Sequence, residues 1–168
     1  MAMAGGRMGK TESKSTTKIV YKKGNLFKAA VPGAILVHAC NASGAWGAGI
    51  ALQFKNKYPK AYEQYKVWCD KGPDELVGSY LKLKDDDITI GCLFTSAGYG
   101  DLKDSEEIIV KQTFTAIKNF LHSLPYKAVV NSPKINSGLF KIPWATTEKI
   151  IKHCLLGRPD VTWVVYGS

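Results

Sequence analysis

The hydrophobic pattern of this chain is organised around one apolar block that is followed by a glycine-rich stretch. Residues 35–39 read Ile-Leu-Val-His-Ala, an almost continuously apolar run that is typical of a buried strand. Polar residues and glycines follow it: Asn41, Ser43, Gly44, Gly47 and Gly49. A helical pattern then begins at Ile50. A strand that leads into a helix through such a turn directs free backbone N–H groups and the positive helix end to one point, so we predict an anion site there.

The remaining apolar patterns predict alternating strands and helices. Further strands are predicted at residues 18–21, 80–84, 88–94, 128–131 and 161–166. Helices are predicted at residues 51–57, 59–68, 104–121 and 144–155. For the third helix we expect a cap formed by Asp104 and Glu107. Its predicted buried face consists of Val110, Phe114, Ile117 and Leu121.

This alternation predicts the fold class. Strands and helices that succeed one another along a chain are typical of α/β proteins, in which helices cover both faces of a sheet. We therefore expect a three-layer α/β/α sandwich around a mixed central sheet of about six strands.

Length and composition fit one folded domain preceded by a tail. The chain has 168 residues, of which 45% are hydrophobic and 22% are charged, as in ordinary globular domains. Residues 1–17 lack a periodic apolar pattern, so we expect a flexible basic tail there and a single domain at residues 18–168. No apolar run approaches the ~20 residues of a membrane-spanning helix, so we expect a soluble protein with no membrane partner.

Positive charge is concentrated at the N-terminus. Residues 1–23 hold six Lys and Arg residues against one acidic residue, Glu12, and so contribute +5 to the net charge of +9. The rest of the chain is only mildly basic, which suits one anionic ligand and does not require a nucleic-acid-binding stripe. RNA binding through the tail stays open as a further function, and it predicts an affinity that falls steeply with salt.

The four cysteines indicate an intracellular protein with free thiols. They are Cys40, Cys69, Cys92 and Cys154, and no two of them form a C-x-x-C pair for zinc or redox chemistry. None has Arg six positions further on, which excludes the loop of cysteine-dependent phosphatases. Cys40 and Cys92 fall in apolar strand-like runs, where a reduced buried thiol is usual, so we expect the cytoplasm, the nucleus or both.

Better-known phosphate motifs do not fit. A P-loop requires Lys and then Ser or Thr after its last glycine, whereas Ile50 and Ala51 follow Gly49. The dinucleotide fingerprint is G-x-G-x-x-G, whereas the glycines here spell G-x-x-G-x-G. Residues 85–89 satisfy the D-x-D-x-T signature of magnesium-dependent phosphatases, but residues 85–87 stand between two predicted strands, the second of which begins at Ile88. We interpret them as a hairpin turn.

Five short blocks in a fixed order match a known family. The blocks are Lys23-Gly24-Asn25-Leu26, His38-Ala39-Cys40-Asn41, Gly47-Ala48-Gly49-Ile50-Ala51, residues 133–140 and Val165-Tyr166. Together they resemble a macrodomain, the ADP-ribose-binding module, and most of all its fungal ADP-ribose 1″-phosphate phosphatase branch. The resemblance implies the macrodomain fold, ADP-ribose and ADP-ribose 1″-phosphate as ligands, no cofactor and no metal. We expect a monomer.

Two side chains in the second of these blocks are candidates for catalysis. His38 is a candidate base or nucleophile, because an imidazole with a pKa of about 6.5 takes up a proton at neutral pH. Asn41 is a candidate for orienting the attacking water or holding the ribose. Both also have structural interpretations, since a strand histidine is often a core residue and an asparagine often opens a turn.

The resemblance also implies the ligand contacts. Asn25 takes the place of the Asp that accepts the adenine 6-amino hydrogen bond in most macrodomains, and Tyr166 would stack on adenine. Trp46 is either a lid over the ribose or a plug against the sheet, and we favour the plug. The expected ligand-binding residues are Asn25, Leu26, Ser43, Trp46, Gly47, Ala48, Gly49, Ile50, Thr95, Ser96, Asn136, Ser137, Gly138, Leu139, Phe140 and Tyr166.

Two departures from the family pattern favour a phosphatase. The branch that removes ADP-ribose from acidic side chains has Lys where this chain has Ser96 and Asp where it has Phe140. We therefore expect a metal-independent hydrolase that converts ADP-ribose 1″-phosphate, a by-product of transfer-RNA splicing, into ADP-ribose and phosphate. The alternatives are a non-catalytic reader that binds ADP-ribosylated proteins and a mono-ADP-ribosyl hydrolase.

Overall fold

A computed structural model describes residues 18–167, which contain six strands and five α-helices. The strands are β1 (Ile19–Lys22), β2 (Ile35–Asn41), β3 (Tyr80–Asp85), β4 (Ile88–Ser96), β5 (Val129–Ser132) and β6 (Thr162–Tyr166). The helices are α1 (Gly49–Lys57), α2 (Pro59–Cys69), α3 (Pro73–Leu76), α4 (Glu106–His122) and α5 (Trp144–Leu155). Two short 3-10 turns span Leu26–Ala29 and Gly100–Leu102. The predicted strands and helices are confirmed, whereas α3 and the 3-10 turns were not predicted. The predicted tail, residues 1–17, lies outside the described residues.

All six strands belong to one mixed sheet. Their order is β1-β6-β5-β2-β4-β3, and only the β3–β4 pair is antiparallel. Five strands therefore end at the same edge of the sheet. From β2 the chain continues towards β4 and β3, whereas from β5 it continues towards β6 on the other side. The neighbouring strands β2 and β5 thus flank a topological switch point, the place where open α/β sheets bind ligands.

Helices cover both faces of the sheet, which confirms the predicted three-layer sandwich. Successive residues of β2 point to opposite faces, and Leu36 and Val37 are both completely buried. Leu36 packs in a core with Phe54 of α1 and Tyr65 of α2. Val37 packs in a second core with residues of α4 and α5, including Phe120. Within residues 18–167, no helix has the length and apolar character needed to cross a bilayer.

The start of α4 differs from the prediction. Ser105 is the N-cap, and its side chain accepts the Ile108 N–H, so the predicted cap by Asp104 and Glu107 is wrong. The Asp104 carboxylate instead accepts a hydrogen bond from Ala97 N at 2.8 Å. The same carboxylate accepts from Gln112 Nε2 of α4 at 3.0 Å, so Asp104 links the segment after β4 to the helix without capping it.

The buried face of α4 is also rotated relative to the predicted one. Its buried residues are Ile109, Thr113, Ala116, Ile117, Phe120 and Leu121. Ile117 and Leu121 were predicted correctly, whereas Phe114 is 37% exposed and its ring instead lies 5.8 Å from that of His153. Apolar residues occur on more than one side of this helix, so packing against the sheet rather than periodicity selects the buried face.

The acidic triad at residues 85–87 forms the predicted hairpin turn. Strands β3 and β4 pair as neighbours, with Asp85 opposite Ile88. The Asp85 carboxylate accepts the backbone N–H groups of Lys60 at 3.0 Å and Ala61 at 3.2 Å. Asp85 therefore caps α2, whose own N-cap residue supplies no side-chain bond, and its carboxylate is committed to a structural role.

Candidate functional site

Two loops meet at the edge where the parallel strands end. The first loop (residues 42–48) follows β2, and the second loop (residues 133–143) follows β5. A methyl group added at Gly49 would lie 3.7 Å from Leu139 Cδ1, so the start of α1, directly after the first loop, lies against the second loop. The loops belong to the two strands that flank the switch point, and they form the walls of one site.

Asn41 folds the first loop. Its side-chain Oδ1 accepts hydrogen bonds from Ser43 N at 3.0 Å and from Ala45 N at 3.3 Å. Its Nδ2 donates to Ala45 O at 2.8 Å. The side chain is 7% exposed, and its oxygen is fully engaged by the protein. The structure therefore supports the turn-forming interpretation of Asn41, and only its second amide hydrogen remains for a ligand or a water molecule.

An aromatic cluster lies beneath the first loop. Trp46 is 1% exposed, and its ring stacks on Tyr65 at 4.7 Å and meets the His38 ring edge-on at 4.7 Å. The ring of Tyr62 lies 5.4 Å from that of Trp46, and its hydroxyl donates to Gly44 O at 3.1 Å. Trp46 is thus the plug that fixes the loop, and its burial does not support a side-chain contact with the ligand.

The first loop and the start of α1 present free backbone donors. Among the described residues, the N–H groups of Gly47, Ala48 and Gly49 donate no hydrogen bond, and no side chain caps α1. Gly49 adopts φ = +60°, a left-handed conformation that favours glycine. The N–H of Ile50, in the first turn of α1, is free as well. Such a run of donors at a helix N-terminus binds anions.

A buried hydrogen-bond network holds the second loop. Asn136 has φ = +68° and is 5% exposed. Its Oδ1 accepts from Thr95 Oγ1 at 2.8 Å, and its Nδ2 donates to Thr113 Oγ1 at 2.8 Å. Thr113 in turn donates to Ile109 O at 2.7 Å. The predicted binding residues Thr95 and Asn136 therefore act by tying the loop to β4 and α4, and their side chains are not available to a ligand.

The second loop supplies a second set of donors. Within the described part of the chain, the N–H groups of Gly138, Leu139 and Phe140 donate no hydrogen bond. Leu139 is 60% exposed, and the exposed Lys134 and Lys141 flank this segment. The positive potential of these lysines and the free N–H groups favour an anionic ligand.

The structure does not support His38 as a base or nucleophile. The side chain is completely buried, and its ring stacks on Phe54 with the centroids 4.1 Å apart. Burial lowers the pKa of His38 from 6.5 to about 3, so the imidazole is neutral at physiological pH. The sheet register places His38 beside Cys92 of β4, three residues before β2 ends. The core interpretation of this histidine fits the geometry.

Ser96 and Leu26 also differ from the predicted roles. Ser96 is completely buried, and its hydroxyl donates to Gly98 O at 2.8 Å and accepts from Asp104 N at 3.0 Å. It therefore shapes the segment after β4. Leu26 is 3% exposed, so its side chain belongs to the core, whereas its backbone N–H has no partner among the described residues.

The predicted adenine contacts lie at the ends of neighbouring strands. Tyr166 is partly buried at the end of β6, opposite Lys22 at the end of β1. Asn25 follows β1 and is exposed, and its Oδ1 accepts the Phe27 N–H at 2.8 Å as the cap of the first 3-10 turn. The cap bond orients the amide, leaving both Nδ2 hydrogens and one oxygen lone pair for a ligand. The roles of both residues stay predictions.

The predicted residues that keep some exposure lie on the two loops, at the start of α1 or at the ends of β1 and β6, although the Ser137 hydroxyl itself is buried. They are Asn25, Ser43, Gly47, Ala48, Gly49, Ile50, Ser137, Gly138, Leu139, Phe140 and Tyr166. Sequence reasoning missed Tyr65 and Thr113, which fix the loops from inside helices. A polar residue on a helix face carries no local signal of such a role, because its partner is distant along the chain.

One buried cluster contains side chains of metal-ligating type. The ligand atoms of His38, Cys40 and Cys92 all lie within 4.8 Å of one another. Cys40 Sγ lies 3.7 Å from both ring nitrogens of His38, a van der Waals contact between neighbouring side chains of one strand face. Burial raises the pKa of the Cys40 thiol, so in the metal-free protein the thiol is protonated. The cluster packs as part of the core.

Comparison with known proteins places this geometry in one family. The Macro domain family model matches residues 37–151. A relative from Lodderomyces elongisporus, called ADP-ribose 1″-phosphate phosphatase, is 43% identical over 149 residues, which cover 79% of this chain and 90% of the relative.

Solved structures share the fold. The macrodomain of Mycobacterium tuberculosis DarG superposes with a TM-score of 0.71 at 22% identity, and the match covers 90% of this chain and 99% of that one. Thermosipho africanus DarTG, solved in complex with ADP-ribose, gives a TM-score of 0.66 at 16% identity, with 89% of this chain and 42% of that one covered. At these identities the likeness concerns the fold alone.

Proposed function

The chain belongs to the macrodomain family, and from this premise we propose that it removes the terminal phosphate of ADP-ribose 1″-phosphate to give ADP-ribose and inorganic phosphate. A relative that bears the name of this activity is 43% identical and matches 79% of the chain. The same site would bind ADP-ribose, the product of the reaction.

The observation that carries the proposal is the contact between the first and second loops. Both loops offer backbone N–H groups without partners in the described protein. The two loops approach each other where Gly49 lies beside Leu139. A diphosphate between them would accept hydrogen bonds from both sides. Binding would come from main-chain amides, helped by the flanking lysines, and would require no metal.

The proposed chemistry relies on positioning rather than on a buried base. Phosphoryl transfer passes through a loose transition state, so holding an attacking water in line and donating hydrogen bonds to the equatorial oxygens supply most of the catalysis. Free N–H groups of the loops that the diphosphate does not occupy would supply these donors. The exposed Ser43 hydroxyl donates to Ala97 O at 2.8 Å, which leaves its oxygen to accept a hydrogen bond from water or from a ribose hydroxyl.

A phosphate-release assay tests the proposal. The purified protein is incubated with ADP-ribose 1″-phosphate, and released phosphate is measured against p-nitrophenyl phosphate as an unrelated monoester and with EDTA present. We expect turnover of the ADP-ribose compound only, unchanged by EDTA. Calorimetry with ADP-ribose measures binding separately. Absence of both turnover and binding would overturn the proposal.

The burial of His38 favours a second candidate, a non-catalytic reader of ADP-ribosylated proteins. The side chain predicted as base does not reach the described site, while the loops that would bind ADP-ribose are present. Binding of ADP-ribose without phosphate release would establish the reader, and loss of ADP-ribose from a modified protein would establish a mono-ADP-ribosyl hydrolase. We further propose a cytoplasmic or nuclear location, in keeping with four free cysteines.

A further inference from the structure

Tyr65 carries a hydroxyl group into the hydrophobic core beneath the first loop, where an apolar ring would pack equally well. The residue is completely buried in α2, with its ring stacked between Trp46 at 4.7 Å and Phe94 at 6.0 Å. A phenylalanine ring would fill the same space. Burying a hydroxyl is costly unless it forms hydrogen bonds, so the partners of this hydroxyl indicate its role.

Both partners of the Tyr65 hydroxyl belong to Asn41. The hydroxyl lies 2.7 Å from Asn41 O and 3.0 Å from Asn41 Oδ1. The Asn41 side chain accepts hydrogen bonds from Ser43 N and Ala45 N and donates one to Ala45 O, all within the first loop. These polar groups of residues 41–45 are paired with one another. The N–H groups of Gly47, Ala48 and Gly49, which follow in the chain, are left for a ligand.

Other contacts show that α2 holds this loop as a unit. The neighbouring Tyr62 hydroxyl donates to Gly44 O at 3.1 Å, one helical turn from Tyr65. The Trp46 ring contacts both tyrosine rings, with centroids 5.4 Å from Tyr62 and 4.7 Å from Tyr65. Burial raises the pKa of Tyr65, so its hydroxyl remains a donor to Asn41 throughout the usable pH range.

We propose that Tyr65 is a positioning residue for the ligand site: its hydroxyl, acting through Asn41, fixes the first loop so that the N–H groups of Gly47, Ala48 and Gly49 face the ligand. This inference rests on the proposed function, because it assigns those donors to a bound diphosphate. Tyr65 itself touches no ligand. Its contribution is the geometry of the loop.

The test replaces Tyr65 with phenylalanine, which keeps the ring and removes the hydroxyl. We expect Tyr65→Phe to weaken ADP-ribose binding about tenfold in calorimetry, the effect of one buried hydrogen bond. KM for ADP-ribose 1″-phosphate should rise by a similar factor with kcat little changed, because the loop binds the diphosphate in the ground state and the transition state alike. Tyr80→Phe is the matched control. It removes a phenol hydroxyl from β3, outside the two loops, and should leave both quantities unchanged.

A double-mutant cycle separates positioning from general stability. If Tyr65 acts through Asn41, adding Tyr65→Phe to Asn41→Ala should weaken binding less than twofold further, because the side chain that ties Asn41 to Ser43 and Ala45 is already absent, even though the Tyr65 hydroxyl can still donate to Asn41 O. Independent, multiplicative effects in the double variant would overturn the proposal. So would an unchanged dissociation constant in Tyr65→Phe when only its thermal stability falls, since that describes a purely structural residue.

Hydrogen exchange distinguishes the failure of this proposal from failure of the proposed function. In the ligand-free protein, the amides of Ser43 and Ala45, which are bonded to Asn41 Oδ1, should exchange faster in Tyr65→Phe, and the chemical shifts of Gly47 and Gly49 should change, while the amides of α4 stay the same. If the wild-type protein binds no ADP-ribose, the proposed function fails, and this readout still decides whether Tyr65 positions the loop. Unchanged loop amides would refute the positioning role whatever the ligand.

Discussion

At the scale of single residues, the same side chain can suggest chemistry in the sequence and packing in the structure. His38 shares a face of β2 with Cys40, and its ring lies parallel to Phe54 at an interplanar angle of 11°. An imidazole in this position contributes as a flat, mostly apolar ring. Protonation of His38 then affects the stability of the fold rather than the rate of a reaction.

The first prediction concerns the acid stability contributed by His38. Its folded-state pKa is about 3, against an ordinary value of 6.5, so below about pH 6.5 the unfolded chain takes up a proton that the folded chain refuses. Stability should therefore fall as the pH decreases from 6.5 towards 3, by up to about 1.4 kcal/mol per pH unit from this group. His38→Phe should lessen that fall in denaturant unfolding measured across the window.

Two controls accompany the His38 prediction. Phe120→Leu changes a buried ring that does not titrate, so it should lower stability by a similar amount at every pH across the window. Phosphate release by His38→Phe decides the catalytic question directly. If the folded variant loses turnover while its ADP-ribose affinity is kept, His38 takes part in the reaction and the core interpretation is incomplete.

The second prediction compares two glycines of the site. Gly49 has φ = +60°, so Gly49→Ala should lower the free energy of unfolding by about 1–2 kcal/mol. Gly47 lies outside the left-handed region, and a methyl group added there would meet no atom within 4 Å, so Gly47→Ala should leave stability within about 0.5 kcal/mol. Both variants should weaken ADP-ribose binding, because a methyl group obstructs approach to the free N–H groups. Unchanged affinity in Gly47→Ala would show that the ligand does not approach this backbone.

At the scale of elements, the second loop depends on one asparagine that combines two properties. Asn136 tolerates a left-handed backbone, and its amide joins Thr95 of β4 to Thr113 of α4. These two hydrogen bonds fix the position of the second loop relative to β4 and α4. This arrangement explains why a polar side chain is buried beside a site that binds through backbone groups.

The third prediction separates these two properties of Asn136. Asn136→Gly loses the hydrogen bonds but keeps the backbone freedom, whereas Asn136→Ala loses both. Unfolding free energies should fall in both variants by about 1–3 kcal/mol, and the alanine variant should be the less stable by about 1 kcal/mol. Both should weaken ADP-ribose binding.

A matched control for Asn136 is available at the opposite edge of the sheet. The Asn131 side chain is 8% exposed and donates to Ile35 O at the start of β2, away from the loops. Asn131→Ala should reduce stability and leave ADP-ribose affinity as it is. Equal loss of affinity in both alanine variants would mean that Asn136 acts only through global stability.

The elements were predictable from the sequence where a single local signal dominated. The apolar run of β2 and the glycines after it predicted a buried strand, a turn and the start of a helix, and the structure confirms all three. At α4 two adjacent residues, Asp104 and Ser105, are both good caps, and Ser105 is the one used because the Asp104 carboxylate is occupied by the Ala97 N–H and the Gln112 amide. The linking roles of Tyr65 and Asn136 could not be predicted, because their partners lie 24 and 41 residues away in the sequence.

At the scale of the whole molecule, strand order creates the site. The first loop and the second loop are about ninety residues apart in sequence, and they meet because β2 and β5 are neighbours. The alternation of strands and helices predicted the layers but not this order, which results from long-range packing on both faces. The family resemblance supplied the expectation that the two loops cooperate, and the topology supplies the physical reason.

The fourth prediction concerns the charge of the whole chain. Residues 1–17 contain three basic residues and one acidic residue, so their removal lowers the net charge from +9 to +7. The proposed donors for ADP-ribose all lie between residues 18 and 167, so the truncated protein should bind ADP-ribose within twofold of the full chain. If the tail binds RNA, that affinity should fall on truncation and should decrease steeply with salt in the full chain. Loss of ADP-ribose affinity on truncation would instead assign the N-terminal segment to the ligand site, a result that backbone donors on two loops do not explain.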